Sequence, residues 1–246
     1  MKNSSLEHKE WHKSGSLLLA SRLERIKHVI HGFGTKNWGK NDLDADPALK
    51  GFRVVFLRQI HSDRIYIISE EDLLDQEKIM AGDASVTEES GILLAIKTAD
   101  CLPVLLTDEI RPVVAAVHCG WRGTAKRILN KTVAVMKKSF GCSSESLVAA
   151  FGPSISFDCY EVGEDVIRIF RTNGLPDLSF KPCRKKQGKY FLDLKEANRC
   201  QLADAGIAPE NITMIDLCTH CESDLYSYRA EKEKAGRNFS FIGLKF

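Results

Sequence analysis

GILLAIKTADCLPVLLTDEIRPVVAAVHCGWRGT, residues 91–124, holds three apolar runs separated by short polar links. Residues 92–98, 103–107 and 112–117 each read as a strand. Their β-branched and aliphatic content is nearly continuous instead of alternating, as in strands buried on both faces. The link 108–111 is short enough for a hairpin between the last two. Two of the runs end beside reactive side chains: Asp100 and Cys101 after the first, His118 after the third.

Outward from this stretch the periodicity changes. In 123–140, Ala125, Ile128, Leu129, Thr132, Val133 and Met136 form one stripe at helical spacing, and Gly141 stops the helix. Upstream, 29–35 reads as an edge strand running into a glycine turn. Residues 37–49, rich in Asp, Asn and Pro, read as a loop. Strands are expected at 54–60 and 65–68, and a turn or short helix at 70–78. Downstream, a strand at 147–151 and a helix at 163–170 are expected. Asp193 with Glu196 is a capping box, opening a helix to about Ala205 that Gly206 ends. Strands at 212–217 and 239–244 close the chain. Hairpins mixed with strand-to-helix steps favour a mixed α/β (α+β) fold, a layered sandwich of mixed sheets flanked by helices. With no internal repeat or linker, 1–246 is expected to be a single domain, residues 1–15 being a loose lead-in.

Composition narrows the function classes. The 246 residues are 43% hydrophobic and 28% charged, an ordinary globular balance. A net charge of +2, from 35 basic and 33 acidic residues, gives no bulk attraction for nucleic acid or an anionic membrane. The basic run Lys181, Arg184, Lys185 and Lys186 is short and reads as a solvated loop. No run is apolar enough for a membrane span, and the first residues carry no apolar leader core. The eight cysteines are therefore expected to be reduced thiols of a cytoplasmic protein. A monomer is expected, with a homodimer as the alternative.

The chemistry gathers at strand ends. His61 follows one strand, Cys101 lies in the link between two, and His118 ends a third. Imidazole, thiolate and imidazole make a borderline-soft set suited to zinc, with a fourth position open. Asp83 and Asp100 lie near these positions in the sequence, and either suits orienting an imidazole or moving a proton. Arg122, between two glycines, suits a phosphate fork ahead of a helix start. Cys218 and Cys221 form a CxxC that fits a redox pair or half a zinc site, and no second CxxC accompanies it. They are expected to be structural thiols. Tyr226, Tyr228, Arg229 and Arg237 suit stacking and phosphate contacts, or an ordinary polar surface.

Taken in order, HGFGT at 31–35, QIHS at 59–62, GDASVT at 82–87, TADCLPVLL at 98–106, AAVHCGWRGT at 115–124, FGPSISFDCYEVG at 151–163, DLKEANRCQL at 193–202 and the CT…YSYR…GR pattern at 218–237 resemble the YfiH-like family. This is also called the polyphenol oxidase or laccase-domain family. The resemblance implies a metal site at His61, Cys101 and His118, described for the family as zinc and in older accounts as copper. It implies purine nucleosides as substrates: phosphorolysis of adenosine, inosine, guanosine and methylthioadenosine with inorganic phosphate as co-substrate, and deamination of adenosine. Asp83, and less so Asp100, would move the proton in deamination. Arg58, Arg122, Arg229 and Arg237 would hold phosphate. Ser62 stands where the family usually has glycine, Cys119 where it has a small residue, and Ala230 where it has a second arginine. The glycine-rich turn near residues 36–39 is also degraded.

Three rivals remain. Thiolate and imidazole also suit copper, but only seven histidines exist, four of them in the first 31 residues, which argues against a multicopper oxidase. A metal-free cysteine hydrolase would use Cys101 with His118 or His61. A non-catalytic metal-binding protein would close the site with a fourth ligand.

Overall fold

The structure, a computed structural model, describes residues 10–74, 80–184 and 186–246. Two six-stranded sheets carry the fold. The first has the order β1 (Trp11–Ser14), β2 (Leu17–Ala20), β3 (Val29–Gly34), β15 (Asn238–Leu244), β7 (Ile92–Thr98) and β4 (Arg53–Phe56). The second runs β14 (Ile212–Met214), β10 (Leu147–Phe151), β8 (Leu102–Asp108), β9 (Val114–Cys119), β6 (Ala84–Thr87) and β5 (Ile65–Ile67). A small antiparallel sheet adds β11 (Glu161–Gly163), β13 (Lys189–Leu192) and β12 (Phe180–Pro182). In both large sheets antiparallel pairs dominate, and an edge strand pairs in parallel: β4 on β7, β14 on β10 and β5 on β6.

Alternation along the strands explains the unbroken apolar runs. On β7, Ile92, Leu94 and Ile96 meet Leu105, Val114, Ala116, Val148 and Ala150 of the second sheet. Leu93 and Ala95 point the other way, onto Trp38, Leu43, Leu49 and Phe241. On β8 and β9, Val104, Leu106, Ala115 and Val117 join a core shared with the helices. Those helices are α4 (Ile128–Phe140), α5 (Glu164–Thr172) and α6 (Leu194–Asp204). Both sheets are thus covered on both faces, which is why period-two alternation is missing from the sequence.

Several expectations are corrected. The quoted stretch splits between sheets: β7 belongs to the first, the β8–β9 hairpin to the second, and residues 99–101 cross between them. The run at 29–35 is an interior strand between β2 and β15, because residues 17–20 and the chain end cover its edges. The strand expected over 54–60 stops at Phe56, and Arg58 makes only an isolated bridge to Ala81. The helix expected over 123–140 is two: α3 (Trp121–Ala125) and α4, broken at Arg127, whose φ is 61°. That left-handed residue gives up helical continuity, and its guanidinium bonds Asp204 at 2.9 Å. Gly141, at φ 68°, caps α4 as expected. The lead-in is ordered from β1 onward, paired with β2. Residues 71–73 of the expected turn at 70–78 form a 3₁₀ turn, and 75–79 lie outside the described residues. Lys181, Arg184 and Lys186 are exposed, and Lys185 lies outside the described residues. Short helices α1 (Ser21–Glu24) and α2 (Lys40–Ala45) and the one-turn α7 (Tyr228–Glu231) complete the α-helices of the described residues. Among the described residues no helix is long and apolar enough to cross a membrane.

One buried group makes the fold acid-sensitive. His31 on β3 is 5% exposed, and its Nε2 accepts a hydrogen bond from the Ala20 amide at 2.9 Å. Burial, with Lys245 and His12 nearby, pushes its pKa down to about 3. The unfolded chain takes this proton near pH 6.5. Stability is therefore intact above that pH and falls as the pH drops toward 3, by about 2 kcal/mol at pH 5 from this residue alone. Melting temperature is expected to fall between pH 6.5 and 4.5 more steeply in the wild type than in His31→Gln. Equal slopes would remove the assignment.

Candidate active site

The register of the second sheet brings the reactive residues to one end. Leu102 pairs with Cys119 and Pro103 with His118, so Cys101, just before β8, lies beside the end of β9. Ala84 pairs with Val117, which sets Asp83 beside His118. Ile65 pairs with Ala84, which brings in the turn carrying His61. One ligand atom from each of His61, Cys101 and His118 lies within 4.8 Å of the others. The two imidazoles meet edge to face at 4.9 Å.

Asp83 organises this corner from behind. Its Oδ1 accepts from His118 Nδ1 at 2.8 Å and from the His61 amide at 3.0 Å. Its Oδ2 accepts from the Ser62 amide at 2.6 Å and the Ser62 hydroxyl at 2.7 Å. Burial pushes this carboxyl up, but the bonds from His118 and Ser62 outweigh it and hold it at about 2. Burial pulls His118 down, while neighbouring Cys101 and the Asp83 bond raise it to about 9. With Nδ1 engaged, Nε2 is the His118 nitrogen left for a ligand. Asp83 is 1% exposed and is not part of the cleft lining. Ser62 contributes its hydroxyl to this network.

One candidate ligand and the neighbour of another carry backbone strain. His61 has φ 55°, and Asp100, next to Cys101, has φ 89°. Asp100 is held there by its side chain. Oδ1 accepts from Thr219 and Ser227 hydroxyls, each at 2.7 Å, and Oδ2 accepts from the Arg229 amide at 2.6 Å. Asp100 thus ties the Cys101 link to the start of α7. Gly120 is needed for space: a Cβ there would lie 3.0 Å from His61 Nδ1 and 3.1 Å from Cys101 Sγ. Cys119 is fully buried in the helix-side core, on the opposite strand face from His118.

The three candidate ligands line a cleft of about 660 Å³. Arg58, Arg122, Arg229 and Arg237 all line it, as do Lys97 and Lys232. Six cations on one cleft, in a chain of net charge +2, concentrate the positive field there. Trp121, Tyr160 and Tyr228 supply aromatic walls. The Arg229 guanidinium is planted by the carbonyls of Cys159 and Glu161, at 3.5 and 3.0 Å. Arg122 stacks over Trp121 at 4.4 Å. Arg237 spends one nitrogen on the carbonyls of Ala235 and Gly236. Ala230 is not part of the lining. Lys97 and Lys232 escaped the sequence reading. Lys97 carried a signal, as the one charged residue in the apolar run 92–98, and it is the exposed residue of an otherwise buried strand. Lys232 carried none, lying in a run of charged residues.

Fold and site together define a layered α/β protein with a cysteine–imidazole cluster on the wall of a cationic cleft. A family model described as multi-copper polyphenol oxidoreductase laccase matches residues 40–245. The chain belongs to this YfiH-like, laccase-domain family, several bacterial members of which are named purine nucleoside phosphorylase. The purine nucleoside phosphorylase YlmD of Bacillus subtilis is 34% identical over 253 residues, 89% of this chain and 90% of that one. The adenosine deaminase RL5, from an unknown prokaryotic organism, is 38% identical over 200 residues, 78% of this chain and 75% of that one. The crystal structure of the Bacillus licheniformis hypothetical protein YfiH superposes with a TM-score of 0.86 at 31% identity, covering 96% of this chain and 99% of that one.

Proposed function

We propose that this enzyme cleaves purine nucleosides with inorganic phosphate, giving free base and ribose 1-phosphate, and deaminates adenosine with water in the same cleft. The observation that carries the reading is the juxtaposition of the His61–Cys101–His118 cluster with six cations and three aromatic rings. The cluster suits a metal: its donor set is that of a three-ligand zinc site, and Gly120 keeps the space between the donors free. When bound, zinc supplies Lewis-acid polarisation.

The chain's own groups do the rest. Phosphate is a multivalent anion at neutral pH, and arginine forks match its oxygens in pairs. Arg229, held at its base by two carbonyls, and Arg122, backed by an indole, are the pre-organised forks. Arg58, Arg237, Lys97 and Lys232 complete the cationic rim. The purine finds stacking surfaces in Trp121, Tyr160 and Tyr228. Burial pushes the Tyr160 phenol up, so it stays protonated and offers a hydrogen-bond donor to the departing base. Asp83, fully engaged behind His118, positions that imidazole and reaches no substrate atom itself.

Base release should therefore rise with phosphate and saturate, and mass spectrometry should detect ribose 1-phosphate from adenosine or inosine. Arg229→Ala is expected to raise the KM for phosphate about tenfold or more while zinc content stays unchanged. Adenosine deamination should persist without phosphate. If zinc-replete, folded protein makes no ribose 1-phosphate yet oxidises a phenol when loaded with copper, the oxidase reading replaces this one.

A further inference from the structure

The CxxC that the nucleoside chemistry leaves unused has a third partner. Cys218 and Cys221 sit on the turn after β14, where the Cys221 and Glu222 amides both donate to the Cys218 carbonyl, at 3.1 and 2.9 Å. Cys159 ends the 3₁₀ turn Phe157–Cys159 before β11. The three sulfurs lie within 4.8 Å of one another, and Cys159 and Cys221, 62 residues apart, approach to 3.5 Å. All three are free thiols. A disulfide needs a separation of about 2.05 Å and two cysteines, so the third sulfur has no place in one. Thiolates around a tetrahedral zinc, with Zn–S near 2.3 Å, stand about 3.8 Å apart. With one edge of 3.5 Å and none above 4.8 Å, the triangle is small enough for one metal ion to contact all three sulfurs. The Ser156 amide donates to Cys218 Sγ at 3.3 Å, an outer contact of the kind that orients a ligand. Cys221 is exposed, so a fourth position opens to solvent.

The surroundings say what such a site would do. Tyr160, a cleft wall, follows Cys159, and Arg229 donates to the Cys159 carbonyl at 3.5 Å. Thr219, between Cys218 and Cys221, donates to Asp100, the residue before Cys101. We propose that Cys159, Cys218 and Cys221 form a second metal site, for a thiophilic cation such as Zn²⁺, that staples the Tyr160 wall of the cleft to the link carrying Cys101. Binding there joins two segments that are otherwise connected only by hydrogen bonds and packing.

Zinc itself is the probe. Protein loaded with Zn²⁺ under reducing conditions and desalted should hold about two ions per wild-type chain and about one in either Cys101→Ala or Cys221→Ser. The double variant should hold none. In Cys101→Ala, zinc should raise the melting temperature and slow amide exchange over residues 157–161 and 218–222. Cobalt should give a thiolate charge-transfer band, and Cys221→Ser added to that background should abolish all three effects. The cobalt band reports ligation independently of activity. Failure of the His61–Cys101–His118 assignment reads differently: Cys101→Ala would keep wild-type zinc while Cys221→Ser still lost an ion. The proposal is overturned if Cys221→Ser binds as much zinc as wild type, or if Cys101→Ala binds none. A Cys159–Cys221 disulfide in protein purified without oxidant would also overturn it, in favour of a redox pair.

Discussion

Cys101→Ala is expected to lower nucleoside phosphorolysis by about a thousandfold or more, the several kcal/mol that a Lewis acid contributes to a transition state. The same change should abolish ion binding at the His61–Cys101–His118 cluster. Folding should survive, because the thiol is only partly buried and the strained link around it is held by Asp100 and not by the sulfur. The measurements are kcat with saturating inosine and phosphate, zinc by elemental analysis, and the melting curve of the same preparation. Retained turnover in a variant that has lost this ion would remove the metal from the chemistry. Retained zinc at this cluster would remove Cys101 from the ligand set. Cys101→Ser gives a further distinction: a cysteine nucleophile would fail in both variants with zinc still bound, whereas a ligand role ties the loss of rate to the loss of metal.

Asp83→Asn is expected to damage both the fold and the site. The carboxylate takes hydrogen bonds from His118, from the Ser62 amide and hydroxyl and from the His61 amide, and it is shut off from water. An amide of the same shape turns one acceptor into a donor and aims it at donors. The expected cost is about 3 kcal/mol, a fall of about 10 °C in melting temperature. Zinc affinity at the cluster should drop between about 10-fold and 100-fold, the usual effect of losing the group that orients a ligand imidazole. A stability loss with unchanged zinc affinity would show that Asp83 serves the 60–62 turn alone. Ser62→Gly removes one bond of this network, and its smaller effect on both readouts would grade the contribution of the remaining bonds.

How far these features could be read in advance depended on their range along the chain. The strands at 92–98 and 103–107, the stop at Gly141 and the Asp193 cap were legible because each depends on residues within a few positions. Unbroken apolar runs correctly signalled burial on both faces. They carried no information on which sheet each strand joins, since β7 and β8 look alike and pair with different partners. The break at Arg127 was invisible because the apolar stripe continues across it. Its left-handed backbone is stabilised by a contact with Asp204, far along the chain. The ordering of residues 11–14 likewise depends on a partner strand too short to read by itself.

The site divides along the same line. Residue chemistry and motif order alone pointed to the family, to a set of two imidazoles and a cysteine sulfur, and to four arginines that line one cleft. Those properties belong to side chains whatever their surroundings. Tertiary structure decided that His61, Cys101 and His118 share one sheet end, that Asp83 stands behind His118 and out of the cleft, and that Lys97 and Lys232 join the cationic rim. It also brought Cys159 to the Cys218–Cys221 turn. Each of these is a proximity between segments distant in sequence. Such proximities are selected by strand register and by the burial of two apolar sheet faces against each other, which no local pattern encodes.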